Sequence, residues 1–323
     1  MLNLALSYKN PSSSVFDNRE KQIDYPRIAS LYSIGRYQRR LPVSINRMIE
    51  NAYDWEHLPH VHKSSFQAIE LVNQGDWGWQ AITTQADARL QHIELLVDKP
   101  KNYWATTVLS GSAKGFEIHT HATEVTAGEI DISVNFYLPK SFTKSLAFLK
   151  LCKLVLPFAV YRKVAKKLGV AVVEPDDTPQ ASILIALQRQ YSVLYDEDEV
   201  LMSGRQKAID RRNNRARSES LEALSLGNQT DLTQQLPKVF EFAKRRYVLN
   251  RWKHEWVVYS AECPHLMGPL EDAEIDHDGQ ITCPWHGYKF DLMTGRNCSN
   301  DSAGLPNPPI VSVIGEELIV KPR

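Results

Sequence analysis

"CPHLMGPLEDAEIDHDGQITCPWHGYKF", residues 263–290, holds two short loops that each begin Cys-Pro. Cys263-x-His265 is followed by seventeen residues and then by Cys283-x-x-His286. Two thiolates and two imidazoles therefore arrive in pairs, which is a metal-binding set. Zinc accepts Cys2His2 ligands, but the Cys-x-His spacing is too tight for a zinc-finger knuckle. The prolines and glycines that follow build tight loops exposing backbone N–H groups to sulfide. Around the loops, "RYVLNRW", "EWVVYSA", "QITC", "YKFD" and "LIVK" read as short strands, so residues 238–323 are expected to form a small all-β domain.

The paired loops resemble the Rieske [2Fe-2S] motif. That resemblance implies Cys263 and Cys283 on one iron and His265 and His286 on the other. Neutral imidazoles in place of two thiolates make such a cluster less negative and raise its potential. The respiratory type of Rieske protein adds a disulfide between its loops; here the corresponding places hold Met267 or its neighbours and Trp285, so the match is to the ferredoxin and oxygenase type. Cys152 and Cys298 lie outside the motif and read as free thiols.

Outward from this domain, 323 residues with 43% hydrophobic content suffice for two domains. Lys plus Arg equals Asp plus Glu at 38 each, so no net field favours nucleic acid or an anionic membrane, and any such preference must come from a local patch. The start, "MLNLALSYKNPSSS", lacks a basic segment ahead of its short apolar run, which predicts a cytoplasmic protein. The most apolar stretch, "LVLPFAVY" (154–161), is far short of a membrane span and is expected to be a core helix or a pocket wall.

Residues 1–40 show no periodicity and are read as an N-terminal extension. A helix is predicted from Ser44, which can cap it, with Ile45, Met48, Ile49 and Ala52 at helical spacing. From 66 to 138, six runs ("FQAIELV", "DWGWQAITT", "ARLQHIELLV", "YWATTVLSG", "FEIHTHATEV" and "EIDISVNFYL") alternate and are separated by turn residues, predicting an antiparallel sheet. Within it, Trp77, Trp79 and Trp104 read as sheet packing, and His119 and His121 as a hydrogen-bonded pair on one strand face. Residues 142–168 and 180–214 read as helices. The Ser-, Gln- and Leu-rich stretch 218–237 is expected to be a linker.

The segment "NAYDWEHLPHVH" (51–62) concentrates three histidines and two carboxylates ahead of the sheet. A polar ridge of this kind is ordinarily a solvated helix face. Its pattern Asn51-x-x-Asp54-x-x-His57-x4-His62, however, resembles that of Rieske non-heme iron oxygenases. This family's catalytic domain has a helix-grip (START-like) fold, an antiparallel sheet wrapped on helices, so the resemblance implies an α+β fold over residues 41–217. It implies His57 and His62 as ligands of a mononuclear Fe(II), with a carboxylate completing a two-histidine facial triad that leaves positions open for dioxygen. In "YDEDEVLMSGRQ" (195–206) that ligand is expected to be Asp198, with Asp196 or Glu197 next; alternatively these acids simply favour a helix N-terminus. Asp54 is expected to bridge the iron site and a Rieske histidine, beside Asn51.

On an ideal helix His57 and His60 lie about 60° apart and His57 and His62 about 140°. Pro59 is expected to leave the chain beyond it extended, so that His62 swings back and His60 is spare. The resemblance further implies dioxygen as co-substrate, a small apolar or aromatic substrate, and a separate reductase, with or without a ferredoxin, that supplies electrons from NAD(P)H. No G-x-G-x-x-G follows a strand here, so the chain carries no recognisable nicotinamide domain of its own. It also implies a homo-oligomer, favouring a trimer. The domain order departs from the family's, with the Rieske domain last, which leaves open whether electrons pass within one chain or between chains. A different class of protein also fits: a Rieske electron carrier fused to a ligand-binding domain without a second iron.

Overall fold

A computed structural model describes residues 21–111, 113–167, 178–214 and 222–323. Seven strands, β1 (Tyr32–Leu41), β2 (Phe66–Gly75), β3 (Gly78–Gln85), β4 (Leu90–Asp98), β5 (Tyr103–Ser110), β6 (Glu117–Thr126) and β7 (Glu129–Leu138), form one antiparallel sheet in the order β1-β7-β6-β5-β4-β3-β2. From β2 to β7 it is a meander of successive hairpins. Alternation in "EIDISVNFYL" buries Ile130, Ile132, Val134, Phe136 and Leu138 on one face. Each such burial is worth about 1.5–3 kcal/mol, and a one-residue slip against β1, where Tyr37 faces Val134, would turn the whole set to solvent.

Among the described residues, seven α-helices accompany the strands. Ahead of β1 lies α1 (Tyr25–Ile28); after it come α2 (Ile45–Tyr53), a 3-10 turn (Trp55–His57) and α3 (Leu58–Val61). Ser44 caps α2 by accepting a hydrogen bond from the Arg47 N–H. Beyond β7 follow α4 (Lys140–Val155), α5 (Phe158–Lys167) and the 35-residue α6 (Pro179–Asn213), whose first turn is capped by Thr178 and starts on a proline that has no N–H to leave unpaired. Tyr195, Leu201 and Met202 of α6 share one core with the inner residues of β7. The expected extension over 1–40 is corrected here: residues 32–41 are a full edge strand of this sheet.

The C-terminal part comprises β8 (Leu224–Asn228), α7 (Gln229–Thr233), β9 (Lys238–Phe242), β10 (Arg245–Trp252), β11 (Glu255–Ser260), β12 (Gln280–Thr282), β13 (Lys289–Asp291), β14 (Ile310–Ile314) and β15 (Glu317–Lys321). They pair as β11-β10-β9, β12-β13 and β14-β15-β8. Leu232, Phe240, Leu249, Leu318 and Val320 form a core between the two three-stranded sheets. The linker expected over 218–237 is corrected as well. β8 and α7 occupy much of it, and β8 is built into the domain by pairing with β15; residues 218–221 lie outside the described ones. The fold is α+β, an antiparallel sheet with helices followed by a small all-β domain.

The two parts share buried surface. Tyr259, Leu270, Ile281, Trp285 and Phe290 belong to the same continuous cluster as the core of the large sheet. Trp285 reaches α6 at Gly204, where an added Cβ would stand 3.2 Å from the indole.

Candidate metal centres

The two Cys-Pro loops are built alike. The N–H of Cys263 donates to the Gly268 carbonyl at 2.8 Å and the Met267 N–H returns to the Cys263 carbonyl at 3.0 Å. In the second loop Cys283 N–H donates to the Tyr288 carbonyl at 2.8 Å and Gly287 N–H to the Cys283 carbonyl at 2.9 Å. The fourth residue after each cysteine takes a left-handed conformation, Met267 at φ +60° and Gly287 at φ +69°. Glycine is needed at 287 for a second reason: a Cβ there would lie 2.2 Å from the His60 ring. These loops bring the imidazoles of His265 and His286 to a centroid separation of 4.7 Å beside the buried thiols of Cys263 and Cys283.

This donor set suits a cluster. His265 Nδ1 is buried without a hydrogen-bond partner, as expected of a nitrogen whose lone pair is reserved for a metal. A Cβ on Gly268 would stand 2.8 Å from the Cys283 sulfur, so only glycine leaves room at that thiol. The two buried thiols share one proton between them: a hydrogen bond from Cys263, against the effect of burial, pushes the Cys283 thiol down while Cys263 is pushed up. Cys298 is exposed and Cys152 is buried in a separate small core; both are free.

At the other end of the contact, the 51–62 segment folds differently from the expectation in two respects. α2 stops at Tyr53, because Asp54 leaves helical geometry at φ −82°, ψ 80°. Asn51, Asp54 and His57 are therefore not one continuous helical ridge. Beyond Pro59 the chain is not extended: proline occupies the first turn of α3, where its missing N–H costs nothing. His62 terminates that turn at φ −97°, ψ 50°, and this bend returns its ring towards His57.

The result is a compact triad. His57 Nε2 and His62 Nε2 are 3.3 Å apart, His62 Nε2 lies 3.1 Å from Asp198 Oδ1, and His57 Nε2 lies 3.4 Å from the same oxygen. All three residues are buried, and together they form a group of side chains that could hold an ion. Three ligand atoms on one octahedral face, with bonds of about 2.1 Å at right angles, would be about 3 Å apart. The donors thus already stand at the separation that a facial site needs. Burial raises the Asp198 pKa, but the two histidines beside it outweigh that and hold the carboxyl well below its ordinary range.

The outer nitrogen of His62 is fixed by another carboxylate. His62 Nδ1–H donates to Glu197 Oε2 at 2.7 Å, which leaves Nε2 as the lone pair facing the triad. Glu197, weighed from sequence as an iron ligand, stands on the far side of the ring, and Asp196 points outward to Arg39. Asp54 Oδ2 accepts from His286 Nε2 at 2.8 Å and lies 3.8 Å from His57 Nδ1. Burial lowers the His286 pKa, yet hydrogen bonds to Asp54 and Cys283 hold it at about 9. Asn51 is buried in the same wall with Oδ1 unpartnered.

One chain therefore links both donor sets. Tyr288 O–H donates to Glu56 at 2.8 Å and Arg211 pairs with Glu262 at 3.1 Å across the same junction. His60, the spare histidine, packs on Gly287. None of these contacts was legible in the sequence, because the partners are about 50 to 230 residues apart and follow no spacing rule.

Beside the triad is a chamber of about 140 Å³ walled by Trp79, Trp104, Leu95 and Tyr195. It shares Phe66, Ile93, Thr106, Tyr191 and Leu194 with an outer cavity of about 450 Å³ that is also lined by Arg89, Lys114 and Phe142. Trp79 and Trp104 pack in the sheet, as expected, and also floor this chamber; Trp77 is only half-buried. His119 is buried between Tyr103 and Glu117, whereas His121 is exposed.

Residues 222–309 match the Rieske [2Fe-2S] domain family, so the C-terminal part is a Rieske domain. Similarity extends to Rieske oxygenases: the chain is 37% identical over 65 residues to pheophorbide a oxygenase of Oryza sativa subsp. japonica, 19% of this chain and 12% of that protein. Among solved structures, the ferredoxin of carbazole 1,9a-dioxygenase from Nocardioides aromaticivorans IC177 is 21% identical and covers 31% of this chain and 98% of its own, at a TM-score of 0.29. A START superfamily protein from Mycobacterium smegmatis is 11% identical and covers 50% of this chain and 97% of its own, at a TM-score of 0.30.

Proposed function

We propose that this chain is a terminal oxygenase in which Cys263, His265, Cys283 and His286 hold a [2Fe-2S] cluster and His57, His62 and Asp198 hold a mononuclear Fe(II). When bound, the cluster supplies single electrons and the ferrous ion activates dioxygen for hydroxylation, dihydroxylation or oxidative demethylation of a substrate. The observation that carries this reading is the mutual approach of three ligand atoms to 3.1–3.4 Å in a buried wall. Similarity to an oxygenase supports it from outside the geometry.

The chain's own residues have distinct tasks in this scheme. Asp54 accepts the His286 Nε2–H and faces His57 Nδ1 at 3.8 Å, so it holds the His286 ring in orientation and places one carboxylate between the two sites. Its pKa is raised by burial but lowered further by the His286 hydrogen bond, so it stays ionised. Glu197 fixes the tautomer of His62. Trp79, Trp104 and Leu95 exclude water and select an apolar or aromatic group. Tyr191 and Tyr195, pushed up by burial and by Asp198, stay neutral beside it.

Electrons enter from NAD(P)H through a separate reductase, alone or with a ferredoxin. With both groups bound, His286, Asp54 and His57 would lie between them within one chain, so the site would need no residue from a neighbouring subunit and would not depend on a trimer. The iron content tests the reading. Three irons per chain, with one lost in Asp198→Ala while the visible absorption of the cluster persists, supports it. Two irons per chain and no substrate-dependent oxygen uptake would establish the rival, an electron carrier joined to a ligand-binding domain.

A further inference from the structure

The α4–α5 hairpin departs from the rest of the molecule in both charge and exposure. Residues 140–167 contain eight Lys and Arg and no Asp or Glu, in a chain that carries 38 charges of each sign overall. The apolar stretch 154–161, expected in a core or pocket wall, is mostly outside. Leu154 is 84% exposed, Val155 67%, Leu151 58% and Phe148 53%, with Phe158 and Val160 beside them. These side chains occupy the end of α4 and the start of α5, the tip of the hairpin. Lys150 on one arm and Arg162, Lys163, Lys166 and Lys167 on the other are exposed around it.

The exposure is not that of a loose hairpin. Leu149, Cys152, Tyr161 and Ala165 bury completely or nearly so in a core of their own, with Ile183 of α6 packed against it. A firmly held apolar tip with basic shoulders matches the interface of an anionic bilayer, which offers acyl chains below and phosphates above. A redox partner would have to reach the cluster, but Ile183 and Gly204, the α6 residues under the hairpin and under Trp285, are about 30 Å apart along the helix. Among the described residues no helix is long and apolar enough to span a membrane.

We infer that the α4–α5 hairpin docks the protein on the surface of an anionic lipid membrane. Phe142, which belongs to the hairpin core, also lines the outer cavity, as does Ile183, so the docked face adjoins that cavity. On the oxygenase reading, its substrate would then be a lipid-soluble molecule taken from the bilayer; the docking itself does not rest on that reading.

The test is flotation of the full-length holoprotein with vesicles of phosphatidylcholine alone or with about 30 mol% phosphatidylglycerol, followed by the visible absorption of the cluster. Binding to the anionic vesicles, weakened at least about tenfold by raised salt, by the pair Leu151→Asp and Leu154→Asp, and by the triple Lys150→Glu, Lys163→Glu and Lys166→Glu, is expected. Because all five positions lie on the exposed side or shoulders of the hairpin, the cluster absorption should be unchanged, which serves as the check of folding. No binding to anionic vesicles, or binding that both variants leave intact, overturns the inference. So does a concentration-dependent dimer that Leu151→Asp and Leu154→Asp dissolve, seen by sedimentation with no vesicle binding, since the tip would then cover itself with a second copy.

Discussion

Two buried histidine–carboxylate clusters lie in the N-terminal part of this molecule, and they are built on opposite principles. In the first, on β5 and β6, His119 Nδ1 meets the Tyr103 hydroxyl at 2.8 Å, His119 Nε2 meets Glu117 at 3.1 Å, and Glu117 also accepts from Arg27 of α1. Every ring nitrogen has a partner, so the cluster is complete in itself. In the second, His57 Nε2, His62 Nε2 and Asp198 Oδ1 all point at one another, while outer carboxylates occupy the far side of the rings. The three atoms lie close enough together to share one cation. Convergence of potential ligand atoms, rather than burial or residue type, is what distinguishes this candidate ion site from the hydrogen-bond network around His119.

The sharpest ways to break this contrast are substitutions of ligands. Cys283→Ser should remove two irons and the visible absorption from the Rieske domain, measured by iron analysis and spectroscopy, and reduce substrate-coupled oxygen uptake to background. Asp198→Ala should remove only the third iron and give the same loss of uptake with the absorption intact. His119→Ala, in the complete cluster, should change neither iron content nor spectrum.

Substitutions one step outward should act less. Asp54→Ala should keep all three irons and slow reoxidation of the reduced cluster by roughly 10–100-fold in stopped-flow, since it removes the carboxylate that orients His286 and stands beside His57. Glu197→Gln should weaken iron binding at the triad by a similar factor, read by competition with a chelator, because His62 loses its charged partner.

The smallest effect concerns stability alone. Burial raises the Glu117 pKa, but hydrogen bonds from His119 and Arg27 outweigh it and leave the pKa below its ordinary value. The unfolded chain therefore binds the proton more readily, so the stabilisation is complete above the unfolded value and fades as pH falls through the lower, folded one. Glu117→Gln should cost about 1.5–3 kcal/mol at pH 7 in denaturant unfolding, and the gap from the parent should narrow as pH falls below the ordinary glutamate value of about 4.3.

The sequence was readable where spacing or alternation carries the information. The Rieske loops hold four ligands within 24 residues, and the runs from 66 to 138 alternate clearly enough that all six strands follow. β1 was not legible because "YSIGRYQRRL" interleaves aromatic and basic residues and buries only Ile34 and Leu41. β8 hides in a Ser-rich segment as a five-residue edge strand, recognisable only through its pairing with β15. Among four consecutive acids at 196–199, the phase of α6 against the sheet decides which one faces inward: Asp198 is buried and Asp196 is not. His62 likewise depends on a bend that closes a helical turn begun by Pro59. Packing sets both, and packing has no local signature.

The central claim is that the proposed iron is served by the cluster of its own chain through His286 and Asp54. It is tested most directly by complementation. Asp198→Ala chains, with a reduced cluster but no iron in the triad, are mixed with Cys283→Ser chains, which carry the triad but no cluster, and reoxidation of the cluster is followed by its visible absorption. The intramolecular link predicts a rate unchanged by the second chain, far below that of the parent protein at any concentration. Acceleration towards the parent rate on mixing would contradict it, because electrons would then be crossing between chains.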